Sequence, residues 1–438
     1  KFLEQEGAPT NDDIIEVTLP VVNRYDEVKT KKLRVIKVKD GKNFKKQARR
    51  MVLDVPKEDF MRYLVRNKSV LDCRSKIQSI ESSGSLKMNI QMIDTRFTIP
   101  ASTLALLDYY RIFDEIQQYK NEKSYFNISI DRNKLKPILE TDGWYELIIP
   151  EKQLEIDSIR KIEYATDYAI MALKSYMDKF CKFEQERWEA PLLEFQEISA
   201  TDNNFVDEYT FTVTPQNSLD TTGEELDKFI EDIKSILTDN NGLNEYEKKF
   251  DFNKNLCLFD FRSHLYAPLV CLKKGNTNIQ ITPVSLNEDE KLFVDYLKEF
   301  TENNGDVLEN KSLYLLRNKS KVGMGFFVAG NFYPDYILWI DTPEKQYITF
   351  VDPKGLLRIM PDDPKIEFYK TIKDLEKQLA PTAGDKQIVL NSFIMSATKS
   401  ADLHEWWHWD KTTREAHNVY TLDDDQCVIS MINKICFL

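Results

Sequence analysis

Six cysteines are scattered through the 438 residues without one CxxC pair, which argues against a zinc ribbon or a small disulfide framework. No apolar run approaches the roughly 18 residues that span a bilayer. The opening residues, KFLEQEGAPTNDD, lack the charged and then apolar layout of a signal peptide. We therefore expect reduced thiols, no association with a membrane, and a cytoplasmic location.

Two motifs of ATP-driven motors are also missing. Neither a GxxxxGK(S/T) loop nor a DEAD or DEAH box occurs in the sequence. That loop cradles nucleotide phosphates with its backbone N–H groups, and its lysine reaches the terminal phosphates. A chain without these motifs does not hydrolyse ATP by that mechanism.

The length and a hydrophobic content of 42% predict two or three domains with cores of their own. We expect an α+β accessory region over residues 1–200, with an amphipathic helix from about Asp157 to Trp188 whose apolar stripe lies in the core. Around residues 201–280 we expect a hairpin, formed by LLEFQEI and EYTFTVT, and an acidic connection with one helix, Glu224 to Leu237.

The order of elements is clearer after residue 281. Helices are predicted from about Glu288 to Asn303 and from about Asp363 to Leu379. Strands are predicted at SLYLLRN, GMGFFVA, YILWI, YITFV and QIVLNSFIM, which are rich in β-branched and aromatic residues. This alternation predicts an α/β domain over residues 281–438.

The charge is unevenly distributed along the chain. The formal net charge is -12, yet residues 24–50 carry twelve Lys or Arg residues against three acids. A concentrated basic face binds phosphates by releasing counterions, even on an acidic protein. The alternative is a solvated pair of strands with lysines on the exposed side.

The most informative stretch is NFYPDYILWIDTPEKQYITFVDPKG, from Asn331 to Gly355. A polar turn, Asp341 to Lys345, separates two apolar runs and predicts an antiparallel hairpin. Opposed residues in a hairpin have index numbers with a constant sum, so Asp335 faces Asp352 with β-carbons roughly 4.5 to 5.5 Å apart. Lys354 lies two residues after Asp352 and projects to the same side of the strand.

Two carboxylates at this spacing are able to share one hard cation through their oxygens. The flanking runs are almost entirely apolar, as in strands buried on both faces, and acids clustered there repel one another unless a cation compensates. We predict that Asp335 and Asp352 bind Mg²⁺, or Mn²⁺ in its place, and that Lys354 orients a water or stabilises charge on a phosphate. The alternative is a plain Asp352–Lys354 ion pair, which at a surface contributes ~0.2 to 1 kcal/mol.

Glu290, near the start of the helix predicted from Glu288, is the fourth candidate. It shares a side of that helix with Phe293 and Leu297, which face the sheet, so its carboxylate is within reach of the aspartates as a third metal ligand. Asn287 and Glu290 also have the spacing of a capping box, in which the glutamate satisfies the backbone of the first turn. The sequence leaves both roles open.

Pro334-Asp335 and Asp352-Pro353-Lys354, with Glu290 on the preceding helix, resemble the motif of the PD-(D/E)xK nuclease superfamily. The segments ITPVSLNEDEKLFVDYL, SLYLLRNKSKVGMGFF, FYPDYILWI and ITFVDPKGL together resemble the C-terminal nuclease region of type III restriction-enzyme-like DEAD/DEAH helicases. The resemblance is strongest from about Thr282 to Leu356. It implies a mixed sheet flanked by helices, Mg²⁺-dependent cleavage of DNA, and a role in antiviral defence in a prokaryote.

The same resemblance implies partners. Nucleases of this kind are normally coupled to ATP-driven translocation and often to a methyltransferase subunit, so a helicase motor is expected outside these residues. The accessory region would then link motor and nuclease, and its basic face becomes a DNA or motor contact. The candidates for contact with DNA are Lys31, Lys32, Arg34, Arg317, Asn318, Lys319 and Lys321. Plain solvent exposure is the alternative for Arg317 and Asn318.

The stretch His404-Glu405-Trp406-Trp407-His408 matches HExxH, in which two histidines one helical turn apart bind zinc and the glutamate acts as general base. Its context is unfavourable, because KSADL stands where a buried zinc-binding helix has an apolar run, and Arg414 holds the third-ligand position. A zinc metallopeptidase is thus the competing enzyme, against an amphipathic helix whose tryptophans pack on the sheet. A catalytically inactive DNA-binding module is the third alternative.

Overall fold

The structure is a computed structural model, and its described residues fall into several segments. They are residues 15–73, 96–149, 154–213, 247–249, 256–273, 279–319, 332–357 and 359–437, with single positions at 228, 231 and 324. These residues form a mixed α/β protein with several small sheets. Within these ranges, every helix is too short or too polar to cross a membrane.

The chain divides into two compact units, residues 38–193 and residues 1–37 together with 194–438. The predicted boundaries at residues 200 and 280 differ from this division. Strand pairing explains the difference, because Ile15–Pro20 pairs with Glu208–Val213, which in turn pairs with Ile279–Thr282. Residues on both sides of the predicted boundaries thus share one antiparallel sheet.

The unit of residues 38–193 is mainly helical. Its longest helix, Ile159–Glu189, confirms the predicted one, and Ala169, Leu173 and Tyr176 of its apolar stripe are buried. The other described helices are Phe44–Gln47, Glu58–Arg66, Ala101–Leu104, Tyr109–Glu122, Arg132–Glu140 and a 3-10 turn at Ala190–Leu192. The strands are Met51–Leu53 paired with Ile128–Ile130, and Tyr145–Ile148 between Ser69–Asp72 and Arg96–Phe97.

The predicted hairpin of LLEFQEI and EYTFTVT is wrong. Both runs are strands, but Leu193–Glu197 pairs with Arg34–Val38, and Glu208–Val213 is the central strand of the sheet described above. Each of these strands therefore pairs with a strand that is distant in sequence and not with its nearest neighbour. The other short elements of the larger unit are Val22–Asn23 paired with Tyr266–Ala267, Leu256–Phe259 between Glu247–Lys249 and Leu269–Leu272, the helix Tyr25–Val28, and 3-10 turns at Lys29–Lys31 and Ala380–Thr382.

In the part of the chain that the structure describes, a five-stranded mixed sheet carries the predicted site. In spatial order its strands are β1 (Ser312–Arg317), β2 (Tyr336–Asp341), β3 (Lys345–Lys354), β4 (Gln387–Ser396) and β5 (Val419–Thr421). Strands β1, β2 and β3 are antiparallel, whereas β3, β4 and β5 run parallel. All of β2 and residues 346–353 of β3 are buried, as the apolar runs predicted.

Among the described residues, five helices accompany this sheet. They are α1 (Glu288–Asn303), α2 (Phe368–Leu379), α3 (Ser400–Trp407), α4 (Lys411–Ala416) and α5 (Cys427–Phe437). Helix α1 packs against β3 and α5, and α2 packs against β4. Helix α1 has the predicted bounds, whereas α2 begins later than predicted, because the Asp363 carboxylate accepts the N–H of Lys365 and closes a turn there.

Two predicted elements lie outside the described residues. One is the helix from Glu224 to Leu237, of which only residues 228 and 231 are described, and the other is the strand GMGFFVA, of which only Met324 is described.

Candidate functional site

The two aspartates meet where the hairpin of β2 and β3 opens. The register pairs Tyr336 with Val351, so Asp335 directly precedes β2 at the level where Asp352 continues β3. Asp352 is 3% exposed, and its carboxyl group lies near enough to that of Asp335 to raise the pKa of Asp335. The structure thus brings together the pair that the constant index sum predicted.

The environment of this pair strongly disfavours two negative charges. Burial, followed by the negative charges of Asp352 and Glu290, raises the pKa of Asp335 from its ordinary value of 3.8 to about 9, and Lys354 opposes the rise. Carboxyl groups that share a site cannot both ionise at ordinary pH without a compensating charge. A shared proton or a bound cation would therefore stabilise the pair.

Lys354 supplies one positive charge to this pair. Its Nζ atom contacts Asp352 Oδ2 and lies 5.3 Å from the centre of the Phe332 ring. The predicted ion pair therefore exists, although its acidic member is buried rather than at a surface. The same Oδ2 atom is buried and accepts no well-oriented hydrogen bond from any described residue. The Lys354 ammonium already meets the charge of this oxygen, so the case for a further cation rests on the second acid, Asp335.

Glu290 performs the capping role that the sequence allowed. Asn287 caps α1, and the Glu290 carboxylate accepts the backbone N–H of Asn287 at 3.0 Å, which completes a capping box. The same oxygen, Oε2, accepts a hydrogen bond of 3.1 Å from Arg317. Glu290 is buried, and its charge still acts on Asp335. Its role as a metal ligand stays a prediction.

Arg317 ends β1 and points toward the start of α1. Its guanidinium donates hydrogen bonds to the carbonyl oxygens of Val284 and Ser285 and to Glu290. The side chain is thus largely enclosed by protein groups. Arg317 is therefore not solvent-exposed, and its guanidinium is engaged by the protein. This arrangement does not support a contact between Arg317 and DNA.

Asn318 holds the segment that leads into Asp335. Its Nδ2 atom donates to the carbonyl oxygens of Pro334 at 2.8 Å and Met324 at 2.7 Å, and its Oδ1 atom accepts the N–H of Met324. The backbone N–H of Asn318 donates to the carbonyl oxygen of Asp335. Asn318 was a candidate for DNA contact, but its side chain holds this segment instead. The sequence did not reveal this positioning role, since nothing in the string Arg317-Asn318 marks a partner 16 residues away.

A second lysine acts electrostatically on the site. Burial and the positive charge of Lys354 lower the pKa of Lys365, and the negative charges of Asp363 and Asp352 oppose this. Lys365 lies in the connection between β3 and α2. No motif spacing pointed to it.

The remaining candidates for DNA contact lie elsewhere. Lys319 donates from Nζ to the carbonyl oxygen of Phe205 at 2.7 Å, and Lys321 is outside the described residues. Lys31, Lys32 and Arg34 line a cleft beside the turn between β2 and β3, at the far end of the hairpin from the aspartates. The basic segment 24–50 is divided between the two units at residue 37.

The HExxH stretch lacks the geometry of a zinc site. Helix α3 ends at Trp407, and His408 has a left-handed backbone with φ of 56°, so the two histidines are not on one continuous helix face. Both histidines are exposed. Trp407 packs with Leu356, Leu403 and Ile394, whereas Trp406 is 63% exposed. The packing alternative holds for one of the two tryptophans.

The donor set at the hairpin suits a hard cation. Among the described residues, no group of three or more His, Cys, Asp or Glu side chains is arranged to hold a metal ion. The Asp335–Asp352 pair still fits Mg²⁺, which keeps several waters and is commonly bound by one or two carboxylates together with substrate phosphates. The raised pKa of Asp335 favours such an ion, because one lysine does not balance two carboxylates.

The chain was also compared with known proteins. No family model, no curated protein and no solved structure matches it.

Proposed function

We propose that this chain is a Mg²⁺-dependent DNA endonuclease with a PD-(D/E)xK core, the nuclease part of a type III restriction-like anti-phage system. The observation that carries the proposal is the carboxyl pair of the partly buried Asp335 and the buried Asp352, beside Lys354 at the open end of a hairpin. A structural ion pair needs only one carboxylate for one lysine. The second acid raises the energy of the site unless it serves a ligand.

Asp335 and Asp352 would hold the ion, with Glu290 as the predicted third ligand. Bound there, Mg²⁺ or Mn²⁺ would supply Lewis acidity toward a phosphate and lower the pKa of a water. Lys354, next to Asp352, is placed to hold that water or to stabilise the charge that develops on the phosphate. Asn318 fixes the backbone of Asp335, and α1 fixes Glu290 through the capping box.

Lys365 lies near enough to Asp352 for the two charges to interact, and it adds a second cation to the site. A phosphodiester carries a negative charge that increases toward the transition state, and nearby cations stabilise it. Two lysines around two acids therefore suit a phosphate substrate better than a neutral one.

The wider role rests on the resemblance of residues 282–356 to type III restriction-like nucleases. The missing ATPase motifs make a separate helicase or translocase motor the expected partner, with a methyltransferase subunit as a further one. A cytoplasmic site of action in a prokaryote follows from that role.

The test is cleavage of supercoiled plasmid DNA by the purified chain in Mg²⁺. We expect nicked and linear products from the wild type and none from Asp352→Ala. Asp374→Ala, which removes an exposed carboxylate from α2, is the matched control and is expected to cut like the wild type. Cleavage that survives Asp352→Ala contradicts the proposed site.

Mg²⁺ binding is a second measurement, and it distinguishes a nuclease that needs its motor from a module that is catalytically inactive. Calorimetric titration with Mg²⁺, without DNA, is expected to give binding heat for the wild type and Asp374→Ala but not for Asp352→Ala. A chain that binds the ion but needs the motor will pass this test and fail the plasmid assay. A chain that fails both tests supports the alternative of a catalytically inactive DNA-binding module. Zinc-dependent peptide cleavage that is lost in His408→Ala would instead indicate the peptidase.

A further inference from the structure

A basic cleft of about 270 Å³ lies at the turn end of the hairpin, away from the aspartates. Four cationic and two acidic side chains line it: Lys31, Lys32, Arg34, Lys386, Asp341 and Asp385. The protein as a whole carries a net charge of -12. A cleft with an excess of cations is therefore a local exception to the charge of the chain, and it attracts anions.

One acid and one cation of the cleft neutralise each other. Lys386 donates to Asp341 at 2.6 Å and to the carbonyl oxygen of Thr342 at 2.8 Å. Asp341, which is buried, also accepts a hydrogen bond from Gln346 at 3.1 Å. Lys31, Lys32 and Arg34 then face one remaining acid, Asp385, so the excess of positive charge resides on these three residues.

These three residues are engaged to different degrees. Arg34 lies 3.5 Å from Glu197, and Lys31 makes one long hydrogen bond of 3.4 Å to Ser312. Lys32 is exposed, and its ammonium has no hydrogen bond or ion pair among the described residues. A cation without an internal partner at the mouth of a cleft is available to a ligand.

The backbone around the cleft leaves room for the Arg34 side chain. Gly384 has φ of 80°, and a β-carbon at this position would lie 2.6 Å from the Arg34 guanidinium. A side chain at position 384 would thus displace Arg34. The glycine permits both the positive φ and the close approach of the arginine to the cleft wall.

The cleft and the aspartate pair lie on one strand. Gln346 lines the cleft, and Asp352 stands six residues further along β3. At a rise of about 3.4 Å per residue, the two places are about 20 Å apart. This distance corresponds to about six base pairs of duplex DNA, at 3.4 Å per pair along one strand.

We propose that this cleft is a phosphate-binding site separate from the carboxylate pair. Lysine and arginine beside hydroxyl and amide side chains, here Ser312 and Asn310, are the groups that proteins use to contact phosphate oxygens. The arginine fork matches a phosphate, and a lysine serves as a compact charge. The phosphate belongs either to a nucleic-acid backbone or to a free polyphosphate.

The test measures binding by the full chain without divalent metal, so that cleavage plays no part. Fluorescence anisotropy of a labelled 20-base-pair duplex is followed from 50 to 200 mM KCl. Lys32→Ala is expected to weaken binding about 5- to 10-fold at 0.1 M salt and to reduce the slope of log K against log salt by about 0.9. Lys29→Ala removes the same charge from the preceding turn, where Lys29 pairs with Asp26 outside the cleft, and is expected to keep the wild-type slope.

A parallel titration with inorganic triphosphate identifies the source of the phosphate. If Lys32→Ala, but not Lys29→Ala, loses affinity for the duplex, the phosphate belongs to a nucleic-acid backbone. If Lys32→Ala, but not Lys29→Ala, loses affinity for triphosphate, the phosphate belongs to a free polyphosphate. If both probes bind Lys32→Ala and Lys29→Ala equally, or neither probe binds the wild type, the proposal is overturned. None of these outcomes depends on nuclease activity, so the two proposals fail separately.

Discussion

The backbone N–H of Asn318 donates a hydrogen bond of 2.7 Å to the carbonyl oxygen of Asp335. The side chain of Asn318 adds hydrogen bonds to Pro334 and to both backbone groups of Met324. One buried amide thus joins the end of β1 to the segment that enters β2. The position of the Asp335 carboxylate depends on a residue that has no part in the chemistry.

We predict that Asn318→Ala lowers the turnover number for DNA about 10- to 100-fold, because a displacement near 1 Å at a reacting group has that effect. The KM for DNA is expected to stay close to the wild-type value, since Asn318 touches no substrate. Buried carbonyl groups left without a donor also lower the free energy of unfolding by about 1 to 3 kcal/mol. Cleavage kinetics and urea denaturation measure the two effects.

Asn133→Ala is the control for this prediction, because that asparagine is exposed on a helix of the other unit. It is expected to leave both quantities unchanged. Equal turnover in Asn318→Ala and the wild type, measured where both are folded, would show that the amide does not position Asp335.

The raised pKa of Asp335 predicts an unusual dependence of stability on pH. Between its unfolded pKa, near 4, and its folded pKa of about 9, the folded protein holds a proton that the unfolded chain has released. Stability conferred by this group is complete below pH 4 and is lost as the pH rises toward 9. The metal-free wild type is therefore expected to lose stability across this interval relative to Asp335→Asn.

Urea midpoints at pH 5, 7 and 9, in EDTA and in Mg²⁺, measure this difference. Mg²⁺ replaces the proton in the folded protein, so it is expected to reduce the loss in the wild type and to change Asp335→Asn little. Parallel pH profiles for the two proteins in EDTA would contradict the burial of an acid at this position.

The hairpin was predictable from sequence because its evidence is local. Two apolar runs around a short polar turn fix the register, and the observed pairing of Tyr336 with Val351 has the predicted sum. The capping box of Asn287 and Glu290 is equally local, since a spacing of three residues defines it. These features suffice to place Asp335, Asp352, Lys354 and Glu290 near one another.

The supporting residues were not predictable for the opposite reason. Asn318 and Lys365 reach the site through turns whose geometry no periodicity describes. Arg34 and Lys386 come from segments about 350 residues apart in sequence. They share a cleft because the N–H of Arg34 donates to Gln346 and Lys386 donates to the carbonyl oxygen of Thr342. The same dependence on distant partners made the predicted hairpin of residues 192–214 wrong.

Replacing Arg317 distinguishes a structural role, as the partner of Glu290, from a role in binding DNA. Replacement by methionine leaves the buried Glu290 carboxylate without its guanidinium partner. We expect the free energy of unfolding to fall by about 3 to 5 kcal/mol, as for other buried ion pairs that lose one member. Glu290→Gln in the same chain is expected to recover part of this loss, because it removes the unpaired charge.

Arg262→Met is the matched control, since Arg262 pairs with Glu27 where both side chains are about half exposed. An exposed pair contributes only ~0 to 1 kcal/mol. If Arg317 instead binds a DNA phosphate, its replacement will reduce the salt slope of DNA binding by about 0.9 and leave stability nearly unchanged. Urea denaturation and anisotropy titrations distinguish the two results.

His408 decides between the two enzyme hypotheses. It follows the last residue of α3 with φ of 56°, and its N–H donates to the carbonyl oxygen of His404. A left-handed backbone costs a residue other than glycine roughly 1 to 2 kcal/mol, and glycine is the preferred residue at such a helix end. His408→Gly is therefore expected to raise the free energy of unfolding by about 1 kcal/mol and to leave Mg²⁺-dependent DNA cleavage unchanged.

His404→Gly provides the contrast, because the same change inside α3 is expected to lower stability by about 1 kcal/mol. A zinc peptidase would lose peptide cleavage in both variants, since both imidazoles would be ligands. Higher stability in His408→Gly and lower stability in His404→Gly, with DNA cleavage intact in both, would show that neither imidazole is a ligand. The two histidines would then matter only for the backbone conformation at their positions. Zinc-dependent peptide cleavage abolished in both variants would require the HExxH stretch to fold as one helix when zinc binds.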